Sequence, residues 1–289
     1  MSTAPIVAPL TRDQAFALVD AVSANDDLAL SASAHEDEAT GEWVFEATTE
    51  MLPDLLAFEA LARETLSGEV DFTIAPVDPE VNWVAKSLQG LQPVEAGGFY
   101  IYGSHDTPPA AAGLVPIRID AAQAFGTGHH GTTTGCLEAI SLTLKRRRPR
   151  SMLDVGTGTG VLAIALALRT HLPVIASDID PVATATAQQN AMDNGAGRLV
   201  HTVTAAGLQH ATIARSAPYD LIVANILAAP LVAIAPVIGK AAARGATIIL
   251  SGLLVEQSAR IVNAYRIQHM VLRRRLHRGE WATLILERT

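Results

Sequence analysis

The chain has 289 residues, 49% of them hydrophobic, and a formal net charge of −8 at pH 7. This length suits one large domain or two smaller ones, with enough apolar residues for a sizeable core. The negative charge argues against DNA or RNA as the main partner, because phosphate backbones favour basic proteins, and it is compatible with a basic substrate. The single cysteine, Cys136, cannot form an internal disulfide, which favours a reducing, cytoplasmic setting. The N-terminus shows no signal-peptide pattern.

The N-terminal part, residues 1–80, alternates short apolar runs with two helical stretches. The runs are, in order, a strand in "PIVAPL", a helix in "RDQAFALVDAVSAND", strands in "LALSASA" and "EWVFEAT", a helix in "MLPDLLAFEALARETLS" and a strand in "DFTIAPV". The order β-α-β-β-α-β is that of the ferredoxin-like α+β fold. A connector follows over residues 81–118, with a short helix in "NWVAKSLQG" and extended pieces in "GGFYIYG" and "VPIRID".

Residues 119–289 alternate strand-like and helical runs, which predicts a Rossmann-like α/β domain with a mostly parallel sheet covered on both faces. The last two runs, "HMVLRRRLHRGE" and "WATLILER", predict a hairpin that adds a closing antiparallel strand. The apolar segment 221–239 contains Asn225, Pro230 and Pro236. A strand, a turn and a buried helix therefore explain it better than a membrane span.

Two basic runs stand out in this acidic chain: "KRRRPR" from Lys145 and "RRRLHR" from Arg273. Each run is more typical of a solvated face than of a binding patch, since the chain as a whole is acidic. We therefore expect both to be surface segments.

A glycine-rich turn, "LDVGTGTG", places Gly156, Gly158 and Gly160 directly after an apolar strand and before a helix. Glycines allow a sharp bend and the close approach of a ligand, in the context that nucleotide sites use. A phosphate-binding P-loop would need a Lys followed by Ser or Thr, and both are missing. A dinucleotide fingerprint would need a sixth-position glycine, where this chain has Val161. The pattern suits a nucleotide ligand without a pyrophosphate.

Acidic and amide side chains at two further strand ends complete the predicted crevice. Asp178 ends the next strand, where a carboxylate can accept hydrogen bonds from ribose hydroxyls, while Asp180 is better suited to cap the helix that begins at Pro181. Asn225 ends a later strand and can offer its side-chain oxygen to an N–H group, although a simple turn-forming Asn is an equal alternative. Together these features indicate S-adenosyl-L-methionine as the ligand.

The segment "AFGTGHHGTTTG", residues 124–135, fits no regular element. It is either a surface loop or part of a site. A metal site is a poor explanation, because His129 and His130 are adjacent and would point apart, whereas ligands from one element normally have spacers.

The chain resembles the bacterial ribosomal protein L11 methyltransferase family (PrmA). The matching pieces are "AFGTGHHGTTTGCLEA", "LDVGTGTGVLAIA", "SDIDP", "VANILAAPL" and "LSGLL", in the order of the family. The first and fourth pieces are much more specific than a glycine turn, which any class I methyltransferase has. His129 and Gly131 depart from the family, in which many members have Thr and Pro there, so no role is carried over to His129.

The resemblance implies an S-adenosyl-L-methionine-dependent enzyme that methylates lysine side chains, and also the N-terminal amine, of ribosomal protein L11. It implies cofactor contacts from the loop and from the strand ends, and amine orientation by Asn225 with the Ile226 carbonyl as a second acceptor. The implied cofactor-binding residues are Phe125, Gly126, Thr127, Thr133, Gly156, Gly158, Asp178 and Asn225. No metal is implied.

We further expect residues 1–80 to recognise the protein substrate, and the chain to be a monomer in the cytoplasm that needs no direct nucleic-acid contact and no membrane. The alternatives are a class I methyltransferase for another protein lysine or a small amine, a non-catalytic nucleotide-binding scaffold, and a dehydrogenase. Val161 disfavours the dehydrogenase, and the intact loop together with Asn225 disfavours the scaffold.

Overall fold

The structure is a computed structural model and forms two compact units, Met1–Asn82 and Trp83–Thr289. It describes residues 3–23, 25, 28–29, 31–36, 42–49, 53–66, 68, 70–74, 93–103, 106, 113–119 and 131–289.

Unit 1 is a small α+β unit with one antiparallel sheet. Its elements are β1 (Thr3–Leu10), α1 (Arg12–Ser23), β2 (Ser31–Glu36), β3 (Trp43–Thr49), α2 (Leu55–Leu66) and β4 (Thr73–Ile74). The sheet order is β2-β3-β1-β4, and all three pairs are antiparallel. The predicted ferredoxin-like element order is confirmed.

An aromatic cluster fills the core of unit 1. The ring of Phe72 lies edge-on to those of Phe45 and Phe58, with centroids 6.1 and 5.8 Å away. Phe45 and Phe58 are both essentially inaccessible to solvent. Because Phe45 belongs to β3 and Phe58 to α2, the cluster joins the sheet to its helical layer. The edge-on arrangement is one that aromatic rings prefer.

Unit 2 begins with a small sheet of β5 (Val94–Ala96), β6 (Phe99–Tyr102) and β7 (Val115–Arg118). Strands β5 and β6 are antiparallel, and β6 and β7 are parallel. The guanidinium of Arg169 lies 4.8 Å from the ring centroid of the buried Phe99, a favourable cation–π geometry. The small sheet is therefore attached to the main domain. The predicted helix "NWVAKSLQG" lies outside the described residues.

The main domain of unit 2 has a seven-stranded sheet. Its elements are α3 (Gly131–Leu144), β8 (Met152–Val155), α4 (Val161–Thr170), β9 (Val174–Asp178), α5 (Pro181–Asp193), β10 (Val200–Thr204), α6 (Ala211–Ser216), β11 (Tyr219–Asn225), α7 (Ala228–Ala241), β12 (Ala242–Leu254), α8 (Ser258–Arg266), β13 (Met270–Arg278) and β14 (Trp281–Arg288). The strand order is β10-β9-β8-β11-β12-β14-β13. Strands β8 to β12 pair in parallel, and β14 closes the sheet antiparallel to β12. The predicted fold class is confirmed.

Helices cover both faces of this sheet. One apolar cluster packs residues of α3 and α4 against the sheet, and a second packs residues of α7 and α8 against the opposite face. Segment 221–239 contributes a buried strand and most of α7, as expected. None of the helices in the described part of the chain is long and apolar enough to cross a bilayer.

Two local predictions for the main domain were wrong. Helix α6 (Ala211–Ser216) was not predicted, because its six residues are too few to show a helical period. The run "PLVAIAPVIGKAAARG" predicts a helix as far as Gly245, but the helix ends at Ala241, and β12 begins at Ala242. Alanine has the highest intrinsic helix propensity, but tertiary contacts readily override propensity, and here Ala242 pairs with Tyr219 in the sheet.

The edge strand β13 contains a bulge at Arg273. Leu272 pairs with Leu286, but Arg274 pairs with Ile285, which leaves Arg273 unmatched. A bulge reverses the faces of the residues after it. As a result Leu272 packs in the α8 layer, whereas Leu276 packs in the α3 layer.

Candidate active site

The predicted site residues that the structure describes lie at the carboxyl edge of the parallel sheet, apart from Thr133 on α3. Strands β8, β9 and β11 are parallel and end at Val155, Asp178 and Asn225. In open α/β sheets ligands bind outside this edge, where the strand order reverses. Strand β8 lies between β9 and β11, so the glycine turn that follows β8 occupies the switch point.

The glycine turn is a tight bend held by backbone hydrogen bonds. The N–H groups of Gly156 and Thr157 donate to the carbonyl of Ser177 at 2.8 and 2.9 Å. Gly156, Gly158 and Gly160 have φ angles of 69°, 54° and 85°, a region that side chains disfavour. A Cβ atom on Gly156 would lie 2.2 Å from Cγ2 of Ile226. The bend therefore requires glycine at its first position for two independent reasons.

Asp178 lies against this bend. Its Oδ2 accepts a hydrogen bond from the N–H of Gly158 at 2.8 Å, and its Oδ1 accepts one from the N–H of Asp180 at 3.1 Å. Each carboxylate oxygen can accept more than one hydrogen bond, so the half-buried side chain keeps acceptor capacity for a ligand. Asp180 caps α5 by accepting from the N–H of Val182 at 2.8 Å, which confirms the predicted cap.

Asn225 faces Thr133 across the crevice edge. Its Nδ2 donates to Oγ1 of Thr133 at 3.4 Å. Its Oδ1 is buried and has no hydrogen-bond partner in the described part of the chain. Buried amide oxygens are nearly always paired, so the orientation that Thr133 fixes leaves an acceptor for an N–H group of a ligand. The adjoining Ile226 carbonyl oxygen lies against Gly252, where a Cβ would be 2.3 Å from it.

A buried carboxyl group beneath the bend was missed by the sequence reasoning. Asp154 has no exposed surface, and its Oδ2 accepts from Oγ1 of Thr157 at 2.7 Å and from the N–H of Ala163 at 3.2 Å. Burial raises the pKa of Asp154 to about 7, because the charged form is poorly solvated there. The carboxyl ties the bend to the first turn of α4. In the sequence, Asp154 could have been recognised as a charged residue inside the apolar run that precedes the glycines.

Ser251 forms a second contact that the sequence did not reveal. Its Oγ lies 3.3 Å from the carbonyl oxygen of Thr132 and 2.9 Å from Oγ1 of Thr283. A Cβ on Gly135 would lie 2.2 Å from the same Thr283 oxygen. Ser251 is also the register partner of Asn225. It therefore links the start of α3, which carries Thr133, to the strand beside Asn225.

Several predicted residues fall outside the description. Phe125, Gly126 and Thr127, together with His129 and His130, lie in the undescribed segment 120–130. Among the described residues, no group of three or more His, Cys, Asp or Glu side chains could hold a metal ion. Cys136 is fully buried, and burial raises the pKa of its thiol far above the usual range.

Comparison with known proteins decides the family. A sequence model described as ribosomal protein L11 methyltransferase (PrmA) matches residues 14–289. The chain belongs to this family. A protein of that description from Rhizobium meliloti (strain 1021) is 44% identical over 297 residues, and the alignment covers 100% of both chains. One from Mesorhizobium japonicum is 46% identical over 238 residues, with 81% of each chain covered.

A solved structure agrees with these relatives. The crystal structure of a ribosomal protein L11 methylase from Lactobacillus delbrueckii subsp. bulgaricus superimposes with a TM-score of 0.62 at 27% identity, covering 69% of this chain and 100% of that one. Membership of the family confirms the predicted methyltransferase activity, and the shared architecture agrees with the Rossmann-like fold.

Proposed function

We propose that this methyltransferase transfers methyl groups from S-adenosyl-L-methionine to lysine side chains, and to the N-terminal amine, of ribosomal protein L11. The observation that carries this proposal is the buried Oδ1 of Asn225, which has no partner among the described residues and lies beside a glycine bend that has no phosphate-binding lysine. The choice of substrate is supported by the names of the relatives, and the choice of methyl donor is supported by the chemistry of the crevice.

The described residues fit the methyl donor. The three glycines of the bend expose backbone without side chains, on which an adenosyl group can rest. The carboxylate of Asp178 beside Gly158 suits ribose hydroxyls. Thr133 would meet the polar end of the donor. We assign the remaining contacts to Phe125, Gly126 and Thr127 of the preceding loop.

When bound, S-adenosyl-L-methionine supplies an electrophilic methyl group on a sulfonium. The chain has to hold the target amine in line with it and exclude water, which accounts for most of the acceleration in such a reaction. The amine must be neutral to react, and a free lysine has a pKa of about 10.4. Desolvation in the crevice lowers that pKa, because burial disfavours the ammonium form.

Asn225 orients the neutral amine. Its free Oδ1 accepts one N–H, which directs the nitrogen lone pair away from the amide. The Ile226 carbonyl would act as a second acceptor through the lone pair that does not face Gly252. Neither group is a strong base, so the proton released from the methylated nitrogen passes to water.

We assign the substrate-recognition role to residues 1–80, with 81–118 as the connector and 119–289 as the methyltransferase domain. The site residues of the described chain all belong to the last of these, which leaves the small α+β unit free to bind the protein substrate. We further propose that the enzyme works as a monomer in the cytoplasm, where ribosomal proteins are made.

Mass spectrometry of purified L11 incubated with the enzyme and the donor tests the assignment. We expect methyl additions on amines, lost in Asn225→Ala and retained in the control Asn263→Ala, an exposed Asn of α8. Unmodified L11, with methylation of other proteins or small amines by the same preparation, would overturn L11 as the substrate and favour a related methyltransferase of different specificity.

A further inference from the structure

The two arginine-rich runs meet on one side of unit 2. Residues 83–289 hold nineteen Lys and Arg against twelve Asp and Glu, so unit 2 is basic although the chain is acidic. We define the basic strip as seven of these cations: Lys145, Arg146, Arg147, Arg148, Arg273, Arg274 and Arg278. All seven are exposed. The two runs are separated by more than a hundred residues in sequence, and the fold brings them together.

A single carboxylate joins the runs. Oε2 of Glu287 lies 2.8 Å from Nη2 of Arg147 and 3.3 Å from Nε of Arg273. One negative charge thus holds two guanidinium groups, and the pair retains a net positive charge. The shared carboxylate also restricts both side chains, which lowers the entropy that a ligand would have to remove.

The bulge in β13 adds to the strip. Because Arg273 is unmatched, Arg274 and Arg278 share the face of Leu276, which packs in the α3 layer. Arg278 pairs there with Glu138 of α3. At the N-terminus of α3, a Cβ on Gly131 would lie 3.1 Å from Cβ of Arg278. The strip therefore follows α3 from its C-terminal end, where Lys145 begins the first run, to its N-terminus. A helix of 14 residues is about 21 Å long.

Two ordinary explanations account for only part of this arrangement. Cations after the last turn of a helix stabilise its dipole, which covers Lys145 and Arg146. Charges on an edge strand discourage strand-to-strand aggregation, which covers part of β13. Neither effect requires the two runs to converge on one carboxylate, and like charges held together cost stability unless a partner neutralises them.

We propose that the basic strip binds the phosphate backbone of RNA without sequence preference, as a second surface separate from the methyl-transfer crevice. Six of the seven cations are arginines, whose planar guanidinium groups match phosphate geometry. A linear array of cations along a helix and an extended strand suits a linear polyanion. Glu138 and Glu287 pair with three of these cations and offset two of the seven positive charges, which leaves the strip with a net charge of +5.

Fluorescence anisotropy of a labelled, mixed-sequence single-stranded RNA with the full chain tests this. We expect a dissociation constant of roughly 10⁻⁴–10⁻⁶ M near physiological salt, with affinity falling steeply as salt increases. Arg273→Gln/Arg274→Gln should weaken binding and reduce the slope of log affinity against log salt by about 1.4, since each phosphate contact on single strands contributes about 0.7. Arg273→Lys/Arg274→Lys should retain most of the slope.

The matched control is Arg198→Gln/Arg215→Gln, which removes two exposed arginines outside the strip, one just before β10 and one on α6. It should bind RNA like the wild type. Equal loss in both glutamine variants, no binding by the wild type at low salt, or displacement of RNA by polyglutamate at equal charge would overturn the proposal; the last result would indicate an acidic protein partner. Methylation of purified L11, free of RNA, should be unchanged in all variants, so this test is independent of the proposed methyl transfer.

Discussion

Units 1 and 2 differ most in charge. Residues 1–82 hold seventeen Asp and Glu against two Arg, a net charge of −15, whereas residues 83–289 carry +7. Their cores differ as well, with a phenylalanine cluster in unit 1 and mainly aliphatic side chains in unit 2. The difference teaches that the proposed donor site lies in the basic unit, whereas the acidic unit has the charge that suits its proposed role of binding a basic protein. Each of the following predictions tests the role of one unit without changing the other unit.

The largest effect should follow from Phe45→Ala in unit 1. Truncation of a buried phenylalanine costs about 3–5 kcal/mol, so unit 1 should unfold at much lower denaturant concentration. Donor affinity measured by calorimetry should stay unchanged, while methylation of L11 falls. Leu56→Ala, at a side chain 77% exposed on α2, is the control and should change neither property. A parallel loss of donor affinity in Phe45→Ala would contradict the separation of roles.

Gly156→Ala should disrupt the crevice of unit 2. The new methyl would meet Ile226, and overpacking of this kind costs about 1–3 kcal/mol, in addition to about 1–2 kcal/mol for a left-handed backbone. We expect lower stability and at least tenfold weaker donor binding by calorimetry. Gly195→Ala isolates the backbone cost, because Gly195 has φ 70° with nothing within 4 Å of its added Cβ. Equal donor affinity in both variants would show that the bend does not hold the donor.

Asp178→Ala should weaken donor binding by about 1–3 kcal/mol, the cost of lost charge-assisted hydrogen bonds. Asp180→Ala is the neighbouring control: it removes the cap of α5 and about 1 kcal/mol of stability, but should leave donor affinity intact. Calorimetric titration of both variants with the donor compares their affinities. If Asp180→Ala weakened binding as much as Asp178→Ala, the contribution of Asp178 would be structural.

Ser251→Ala should have the smallest effect on stability, about 0.5–1.5 kcal/mol. Because Ser251 anchors the start of α3, the variant should lower kcat more than it raises the donor KM. Ser258→Ala is the matched control, since Ser258 is also buried and its Oγ has no hydrogen-bond partner among the described residues. Thr283→Ser, which keeps the hydroxyl, should retain activity. If kcat fell in proportion to the loss of stability in all three variants, Ser251 would have no positioning role.

Much of this architecture could be predicted from sequence because its signals are local. The glycine bend, the cap at Asp180 and the alternation of strands and helices each occupy a few consecutive residues. The element order of unit 1 also followed from short apolar runs. In contrast, the hydrogen bond from Asn225 to Thr133 joins residues 92 positions apart, and the packing of α3 against β11 and β12 brings them together.

The remaining features depend on packing that no short pattern encodes. Ser251 resembles any serine near a strand end until β14 places Thr283 beside it. Asp154 is one charged residue in an apolar strand, and its role depends on Thr157 and Ala163 turning back toward it. The convergence of the arginine runs depends on which face of β13 packs on α3, and that face is set by the unpaired residue at Arg273.

The unpaired Arg273 decides which side chains of β13 face the α3 layer and which face the α8 layer. If Arg273 paired with Ile285 in place of Arg274, the register beyond it would shift by one residue. That shift would send Leu276 to the α8 side and bring Arg275 and His277 over the α3 layer. The half-buried Leu276 would leave the α3 layer, and the charged side chain of Arg275 would contact apolar neighbours there. The pairing register of β13 beyond Arg273 therefore constrains the sequence as tightly as the chemical character of its residues does.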